Sequence, residues 1–365
     1  MKKSTIFSLL CCASGLSMAQ SSSGVTIYGI LDVGIDRVSN VGGHGNTLVN
    51  TGVLVPNLLG FRGSEDLGGG LKAIYKLETQ FAIDTGTTIG INGTSEGMWN
   101  HGAYVGLEGS MGKVTIGTLD DFMFSNLSVK RYGFGAMFPF VSLTFLRQGP
   151  FANLTPVGSF DFDRTGLTSR VSNSIRYDSP TIGGFNFGAL YGLGEQSDSQ
   201  SRNSTYSLGA DYSSGPWTFT AAMINAKSPL INNGNDGLTS WGLGGRYDFS
   251  GGISTDFLYT NTKNTFTDAK IDSYEIGAIM SPTPTTRLIG QYTYMKGNDQ
   301  LSNNKAHQIN TGLHYLLSKR SNVYVQYSYQ KASGDGDNAK AQLMLMGASS
   351  GSSQGVLRVG MFHAF

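Results

Sequence analysis

Cysteine is almost missing from this chain: Cys11 and Cys12 are the only two, and both lie close to the N-terminus. The rest of the sequence can build neither a disulfide framework nor a thiolate metal site. Proline is scarce, with nine residues, and charged side chains make up only 14% of the chain. The net charge is +1, so there is no global field to attract nucleic acid, and no nucleic-acid partner is expected. Past the first residues, no apolar run approaches the roughly 20 residues a spanning helix needs. What is plentiful is glycine, with 51 residues, together with 17 tyrosines and 20 phenylalanines. Small and aromatic residues with few charges suit an all-β chain whose strands are polar on one side.

The N-terminus reads as a leader. Met1, Lys2 and Lys3 form a basic start, residues 6–16 are short and mostly apolar, and Ser17-Met18-Ala19 gives a small-x-small cleavage pattern. A secretory signal over residues 1–19 is expected, leaving 20–365 as one domain. A lipoprotein signal is the weaker alternative, because bulky Leu10 precedes Cys11 and the apolar run would be cut early. Both cysteines leave with the leader.

The remaining signal is alternation with period two. In residues 71–81, Leu71, Ala73, Tyr75, Leu77 and Phe81 share one parity, and Lys72, Lys76, Glu78 and Gln80 share the other. In residues 322–330, Val323, Val325, Tyr327 and Tyr329 face one way, against Asn322, Gln326, Ser328 and Gln330. A helix would space its apolar residues by three and four. Alternation fits a soluble sandwich as well as a membrane barrel, and the connectors separate the two. Short turns near residues 66–70, 109–112, 179–184, 213–216, 250–252, 281–285 and 317–321 alternate with longer polar connectors. The longer ones fall near 40–57, 82–100, 120–172, 194–204, 227–237, 261–270, 296–306 and 331–353. Seven short and eight long connectors predict sixteen antiparallel strands in a transmembrane β-barrel, with short turns on the periplasmic side. The connector at 120–172 carries Phe122, Phe124, Tyr132, Phe134, Phe138, Phe140, Phe145, Phe151, Phe160 and Phe162. A disordered loop is poor in aromatics, so this one is expected to pack, and the inner wall is the available surface. At the end of the chain Leu357, Val359, Met361, His363 and Phe365 share one parity. The terminal aromatic Phe365 suits the strand that must pair with the first.

Several segments resemble the general porins of β-proteobacteria, including the neisserial type. They are VTIYGILDVGI (25–35), GFRGSEDLGGGLKAIYKLE (60–78), AYVGLEGSMGKVTIG (103–117), NSIRYDSPTIGGF (173–185), KAHQINTGLHYLLSKRSNVYVQYSY (305–329) and the final HAF (363–365). The resemblance spans nearly all of the mature chain. It implies an outer-membrane barrel of sixteen strands, usually a homotrimer surrounded by outer-membrane lipid, with the third external loop folded inward as a constriction. The activity expected is passive diffusion of ions and small hydrophilic solutes.

Wall parity supplies candidates for the lumen. Basic members are Arg62, Lys72, Lys76, Arg176, Arg246, Arg287 and Arg358; acidic members are Asp32, Asp36, Glu78, Glu108, Asp178, Asp211, Asp248, Asp256 and Glu275. Arg62, Lys76 and Glu78 rank first because they lie on clearly alternating segments. The plain alternative is that many of these residues solvate the rim or pair with one another. The chain departs from the resemblance where Leu58, His101 and Thr118 occupy positions at which relatives often carry arginine. Lys130, Arg131 and Arg147 of the third loop are the candidates to compensate, opposed by Asp120, Asp121, Asp161 and Asp163. The expectation from sequence is a weakened anion preference, rising in acid as His101 titrates near its ordinary pKa of about 6.5.

Rival readings are a channel selective for an anion or aromatic acid, with the aromatic loop as a binding track, and an enzyme or adhesin on a barrel scaffold. No motif supports catalysis. The five histidines and many serines show no nucleophile signature, and Gly68-Gly69-Gly70 lacks the Lys-Ser/Thr of a phosphate loop. Residues 333–338 hold two carboxylates but lack the bidentate glutamate of a calcium loop, so neither metal nor cofactor is expected. The leader reading predicts that protein recovered from the outer membrane begins at Gln20. N-terminal sequencing or intact mass checks this, and lipid on Cys11 or Cys12 would contradict it.

Overall fold

A computed structural model describes residues 24–89, 97–132, 147–166, 170–335 and 339–365. The expected leader and the aromatics Phe134, Phe138, Phe140 and Phe145 lie outside the described residues. Seventeen strand segments form one antiparallel sheet. They are β1 (Val25–Val41), β2 (His44–Thr51), β3 (Leu58–Gly68), β4 (Leu71–Gln80), β5 (Gly102–Gly109), β6 (Gly112–Asp120), β7 (Arg170–Asp178), β8 (Phe185–Gly192) and β9 (Thr205–Ser214), followed by β10 (Trp217–Lys227), β11 (Gly237–Phe249), β12 (Ile253–Asn264), β13 (Lys270–Thr283), β14 (Thr286–Gly297), β15 (Lys305–Leu316), β16 (Ser321–Ser333) and β17 (Ser353–Ala364). β1 pairs with β17, which closes the sheet into a barrel.

β1 also pairs with β2 along residues 33–41 and with β3 along residues 25–30. These two segments therefore share one position, and the barrel has sixteen staves, one of them broken. This corrects the expected long connector at 40–57. Gly42 and Gly43, both at positive φ, make the turn alone, and the chain re-enters the sheet at His44. The segment HGNTLVNT has only the adjacent Leu48 and Val49 as apolar residues, one on each face, which hid its strand period. The break at residues 52–57 is held inside the wall. The N–H of Gly52 donates to the Asp32 carbonyl at 3.0 Å, and that of Leu54 donates to the Asp32 carboxylate at 2.9 Å. Val53, Leu54 and Val55 are buried. The seven expected short turns all join neighbouring strands.

The burial pattern is the reverse of a soluble sandwich. Asp32, Asp36, Gln308, Asn310, Gln330 and Gln354 are fully enclosed, whereas Ile276, Ile309, Val359, Leu208 and Val105 are exposed. Apolar side chains on the outside and polar ones on the inside place lipid around the barrel and water within it.

Phe365 and Gly29 exchange two backbone hydrogen bonds, of 3.1 and 3.0 Å. The Phe365 ring lies against Gly29 so closely that a Cβ there would sit 2.3 Å from it. Deleting Phe365 removes both bonds and the ring at the seam of first and last strands. The expected outcome is a marked fall in folded barrel, read as loss of the heat-modifiable band on semi-native electrophoresis. Undiminished yield of that band would show that the seam closes without it.

Candidate functional site

The interior is divided by the third external loop. Its first turn, Phe122–Phe124, is capped by Asp121, whose carboxylate accepts from the Met123 N–H at 2.9 Å. The chain continues as a wide π-helical turn over Ser125–Lys130. This segment lies in a trough made by wall glycines. A Cβ on Gly188 or Gly209 would fall 2.3 or 2.4 Å from the Phe122 ring, one on Gly242 would fall 2.7 Å from Leu127, and one on Gly244 would fall 2.8 Å from Arg131. Leaving those positions without side chains lets the loop approach β8, β9 and β11 at backbone distance. Phe122, Met123 and Leu127 join Leu190, Ile224 and Leu258 of the wall in one apolar cluster.

Beyond the trough, charge fixes the loop. Arg131 is wholly buried and meets Asp256 at 2.5 Å and Glu275 at 2.9 Å. Arg147 meets Asp163 at 3.2 Å and Glu275 at 3.7 Å. Arg164 holds Asp121 at 2.6 Å. The eighth loop packs beside the third: the Gly149 N–H donates to the Gln342 carbonyl at 2.9 Å, and wall amides Gln330 and Gln354 accept from the N–H groups of Gln342 and Leu343 at 2.8 and 2.7 Å. On the adjoining wall, Arg358 joins Asp32 at 3.1 Å and Asp36 at 2.9 Å.

The opposite side stays open. A cavity of about 630 Å³ runs along it, lined by Tyr28, Leu58, Arg62, Lys76, Glu78, His101, Tyr104, Asp120, Phe124, Arg170, Arg287, His314, Lys319 and Phe365, among others. Arg62 lies over the Tyr28 ring at 4.9 Å, and the Tyr28 hydroxyl donates to Glu78 at 2.6 Å. Lys76 stands directly across from Arg62 in register and meets Glu78 at 2.8 Å. Five cations and two side-chain carboxylates line the cavity. Lys76 pairs with Glu78, and the buried Arg170 pairs with Asp120 at 3.2 Å, which leaves Arg62, Arg287 and Lys319 with no ion pair among the described residues.

His101 sits between opposite charges. Its Nδ1 is 2.5 Å from Glu78, and its Nε2 meets an Arg170 nitrogen. Arginine can only donate, so Nε2 accepts and Nδ1–H donates to the carboxylate. Burial, and then the Arg170 charge, push the imidazole down to about 4 against the pull of Glu78. His101 is therefore neutral through mild acid, which revises the expected titration near 6.5.

The sequence candidates separate into three groups. Arg62, Lys76, Glu78 and Asp120 line the open cavity. Arg131, Arg147 and Asp121 do not: they are buried braces of the third loop, so the expected compensating charges at 131 and 147 are spent on wall carboxylates. Arg176 is a brace as well. It donates to the Asp120 carbonyl at 2.6 Å and the Ser125 hydroxyl at 2.8 Å, and it covers the Phe122 ring at 4.0 Å. Lys130 is about half exposed and stands 3.6 Å from Asp211. The loop aromatics Phe122, Tyr132, Phe151 and Phe162 are packing residues, each nearly or fully enclosed. Leu58 and His101 do face the cavity, whereas Thr118 is not part of its lining. Arg170 and Lys319 escaped the sequence reading. Arg170 lies inside what reads as a connector and Lys319 inside a short turn, where wall parity has no meaning. Arg170 places a cation beside His101, at one of the positions where the sequence seemed to lack one.

Arg131→Met is expected to leave Asp256 and Glu275 buried without their cation. Breaking a buried pair in this way costs about 3–5 kcal/mol. The loop should then undock, giving higher single-channel conductance and faster proteolysis within residues 147–166. Unchanged conductance would mean that the glycine trough alone holds the loop. Selectivity of the native pore should also stay flat between pH 8 and 5.5, because His101 protonates only near 4; a step near pH 6.5 in reversal potential would contradict that assignment.

Comparisons with known proteins agree with this geometry. The family model described as Gram-negative porin matches residues 7–335. The chain is 31% identical over 381 residues to outer membrane porin protein 32 of Delftia acidovorans, covering 100% of both. It is 24% identical over 353 residues to a major outer membrane protein P.IB of Neisseria meningitidis serogroup B, covering 92% of this chain and 95% of that one. Among solved structures, an anion-selective porin from Comamonas acidovorans superposes with a TM-score of 0.76 at 26% identity, over 94% of this chain and 100% of that one. OmpT of Vibrio cholerae in its trimer form shares the fold, with a TM-score of 0.66 at 13% identity, over 94% of this chain and 100% of that one. With a closed sixteen-stave barrel, a polar lumen and a family model that matches most of its length, the chain belongs to the Gram-negative porin family and is an outer-membrane channel for passive diffusion.

Proposed function

We propose that this channel prefers anions and works as a homotrimer. The observation that carries the selectivity is the division of charge across the lumen. The wall carboxylates Asp32, Asp36, Asp256 and Glu275 are buried against Arg358 and Arg131. On the open side, Glu78 is paired with Lys76 and Asp120 with Arg170, and Arg62, Arg287 and Lys319 remain as an excess of three cations among the lining residues. A solute passing through meets the excess, not the buried pairs, because a paired and enclosed charge projects little field into water. This reading differs from the weakened anion preference expected from the missing arginines. The similar porin from Comamonas acidovorans is described as anion-selective, which supports the same reading.

The trimer rests on the outer face. Exposed large side chains on β1, β3, β5, β6 and β7 are aliphatic, among them Ile27, Ile35, Val105, Leu107, Val114, Ile116 and Ile175. Exposed aromatics crowd β8 to β16 instead, including Phe187, Tyr206, Trp217, Phe219, Trp241, Phe257, Tyr274 and Tyr327. Tyrosine and tryptophan mark membrane interfaces. The sector of β1 to β7 is poorer in them, with only the part-exposed Tyr75 and Tyr177 on its outer face, and is suited to a copy of the chain rather than to headgroups. It is also the short wall, with β5 to β8 of 8 or 9 residues against 12 to 14 for β11 to β16.

Reversal potential across a salt gradient should show anion preference at neutral pH. Arg62→Glu should move it strongly toward cations. Unit charges 4 Å apart interact by about 1 kcal/mol in bulk water and about 4 kcal/mol near a protein surface, enough for a several-fold change in permeability ratio. A cation-selective native pore would sink the proposal. For assembly, Val105→Glu with Ile116→Lys should yield folded monomer by light scattering; an undisturbed trimer would place the interface elsewhere.

A further inference from the structure

The outer face of the barrel carries charge of its own at the external rim. Lys263, Lys270, Lys296, Lys305 and Lys331 occupy the loop-side ends of five adjacent strands, β12 to β16. Their chain neighbours Thr262, Ile271, Met295, Ala306 and Ala332 are buried facing the lumen. Alternation therefore turns all five lysines outward.

Their register is unfavourable for an isolated protein. Lys263 stands directly opposite Lys270, and Lys296 directly opposite Lys305. Like charges directly opposed across strands repel, with Cβ atoms only about 5 Å apart. Local carboxylates answer one pair: Asp268 lies 2.5 Å from Lys263, and Asp272 lies 3.8 Å from Lys270. Asp272 is already engaged by the Tyr259 hydroxyl and the Asn261 amide, each at 2.7 Å. Among the described residues, Lys296 and Lys305 make no ion pair, and Lys331 donates only to the Ser352 hydroxyl at 2.8 Å.

Immediately membrane-ward on the same face lie Tyr259, Tyr274, Tyr292, Tyr294 and Tyr329, and below them Ile276 and Ile309. A tyrosine belt marks headgroup depth. The opposed lysines thus stand at the level of outer-leaflet phosphates, above a surface that accepts acyl chains. We propose that this rim binds the phosphate groups of a phosphorylated glycolipid of the outer leaflet, with Lys296 and Lys305 sharing one phosphate. A dianionic group between two facing ammonium groups converts their repulsion into two attractions. The apolar face below supplies contacts that free phosphate lacks.

The test is native mass spectrometry of the purified protein in detergent with diphosphorylated lipid A, monophosphoryl lipid A, phosphatidylcholine or inorganic phosphate. Retention should be strongest for the diphosphorylated lipid. It should fall about tenfold in Lys296→Gln/Lys305→Gln, equivalent to roughly 1.4 kcal/mol, while Lys227→Gln, on β10, should leave it unchanged. Lys296→Arg/Lys305→Arg should retain the lipid, and serves if the glutamine pair fails to fold. Equal binding of phosphatidylcholine would show adsorption through acyl chains alone. Displacement of the lipid by millimolar inorganic phosphate would reduce the site to a simple anion site. Either result, undiminished binding by the glutamine pair, or loss of binding by the arginine pair would overturn the proposal. Conductance of the glutamine variant should match the native pore, because these side chains lie outside the lumen.

Discussion

Everything in the lumen depends on how the carboxylates of one wall are neutralised. Asp256 and Glu275 project from β12 and β13 into a space that the third loop fills. An unpaired charge enclosed there would cost several kcal/mol. Arg131 answers both carboxylates at once, and Arg147 reaches Glu275 from further along the same loop. The loop can lie that close only because Gly188, Gly209, Gly242 and Gly244 leave the wall bare beneath it. Trough and ion pairs are therefore mutually dependent. Without the trough the guanidinium would stop short of the carboxylates, and without the pairs the trough would be a poorly covered apolar strip.

Much of the barrel was legible beforehand, because lipid and water impose opposite demands on alternate residues. Residues 71–81 and 322–330 show this period plainly, and all the short turns but that at 317–321 are marked by glycine or proline. The broken stave was not legible. His44–Thr51 has only Leu48 and Val49 as apolar residues, adjacent and so on opposite faces, and no period survives in it. The candidate site was legible only by parity. That placed Arg62, Lys76 and Glu78 on the inner wall, yet parity cannot tell an open lumen from a covered one. Arg131 and Arg147 have the right chemistry for a constriction and the wrong surroundings: each is buried against a wall acid that lies more than a hundred residues away in sequence. Arg170 shows the reverse. It has no strand period to announce it, and it reaches the open cavity because β7 begins where a connector was expected.

The two walls also differ in what holds them. One is a mesh of amides, with Gln330 donating to Gln308 at 2.9 Å, Gln308 to Asn310 at 3.1 Å, and Asn310 to Gln291 at 3.0 Å. That mesh is neutral, enclosed and continuous with the third and eighth loops. The other wall is a set of charged side chains bordering water, in which Glu78 ties together Tyr28, Lys76 and His101. Rigid filling on one side leaves the path for solutes on the other.

This division separates two kinds of inheritance. Substitutions in the glycine trough or among Arg131, Asp256 and Glu275 change what the fold needs, so they must arise together or be lost. Arg62 and Lys319 border water and brace no loop, so each can change sign with little effect on assembly. A lineage carrying this barrel can therefore adapt its traffic to a new habitat one residue at a time, while the plug that narrows the pore is passed on intact.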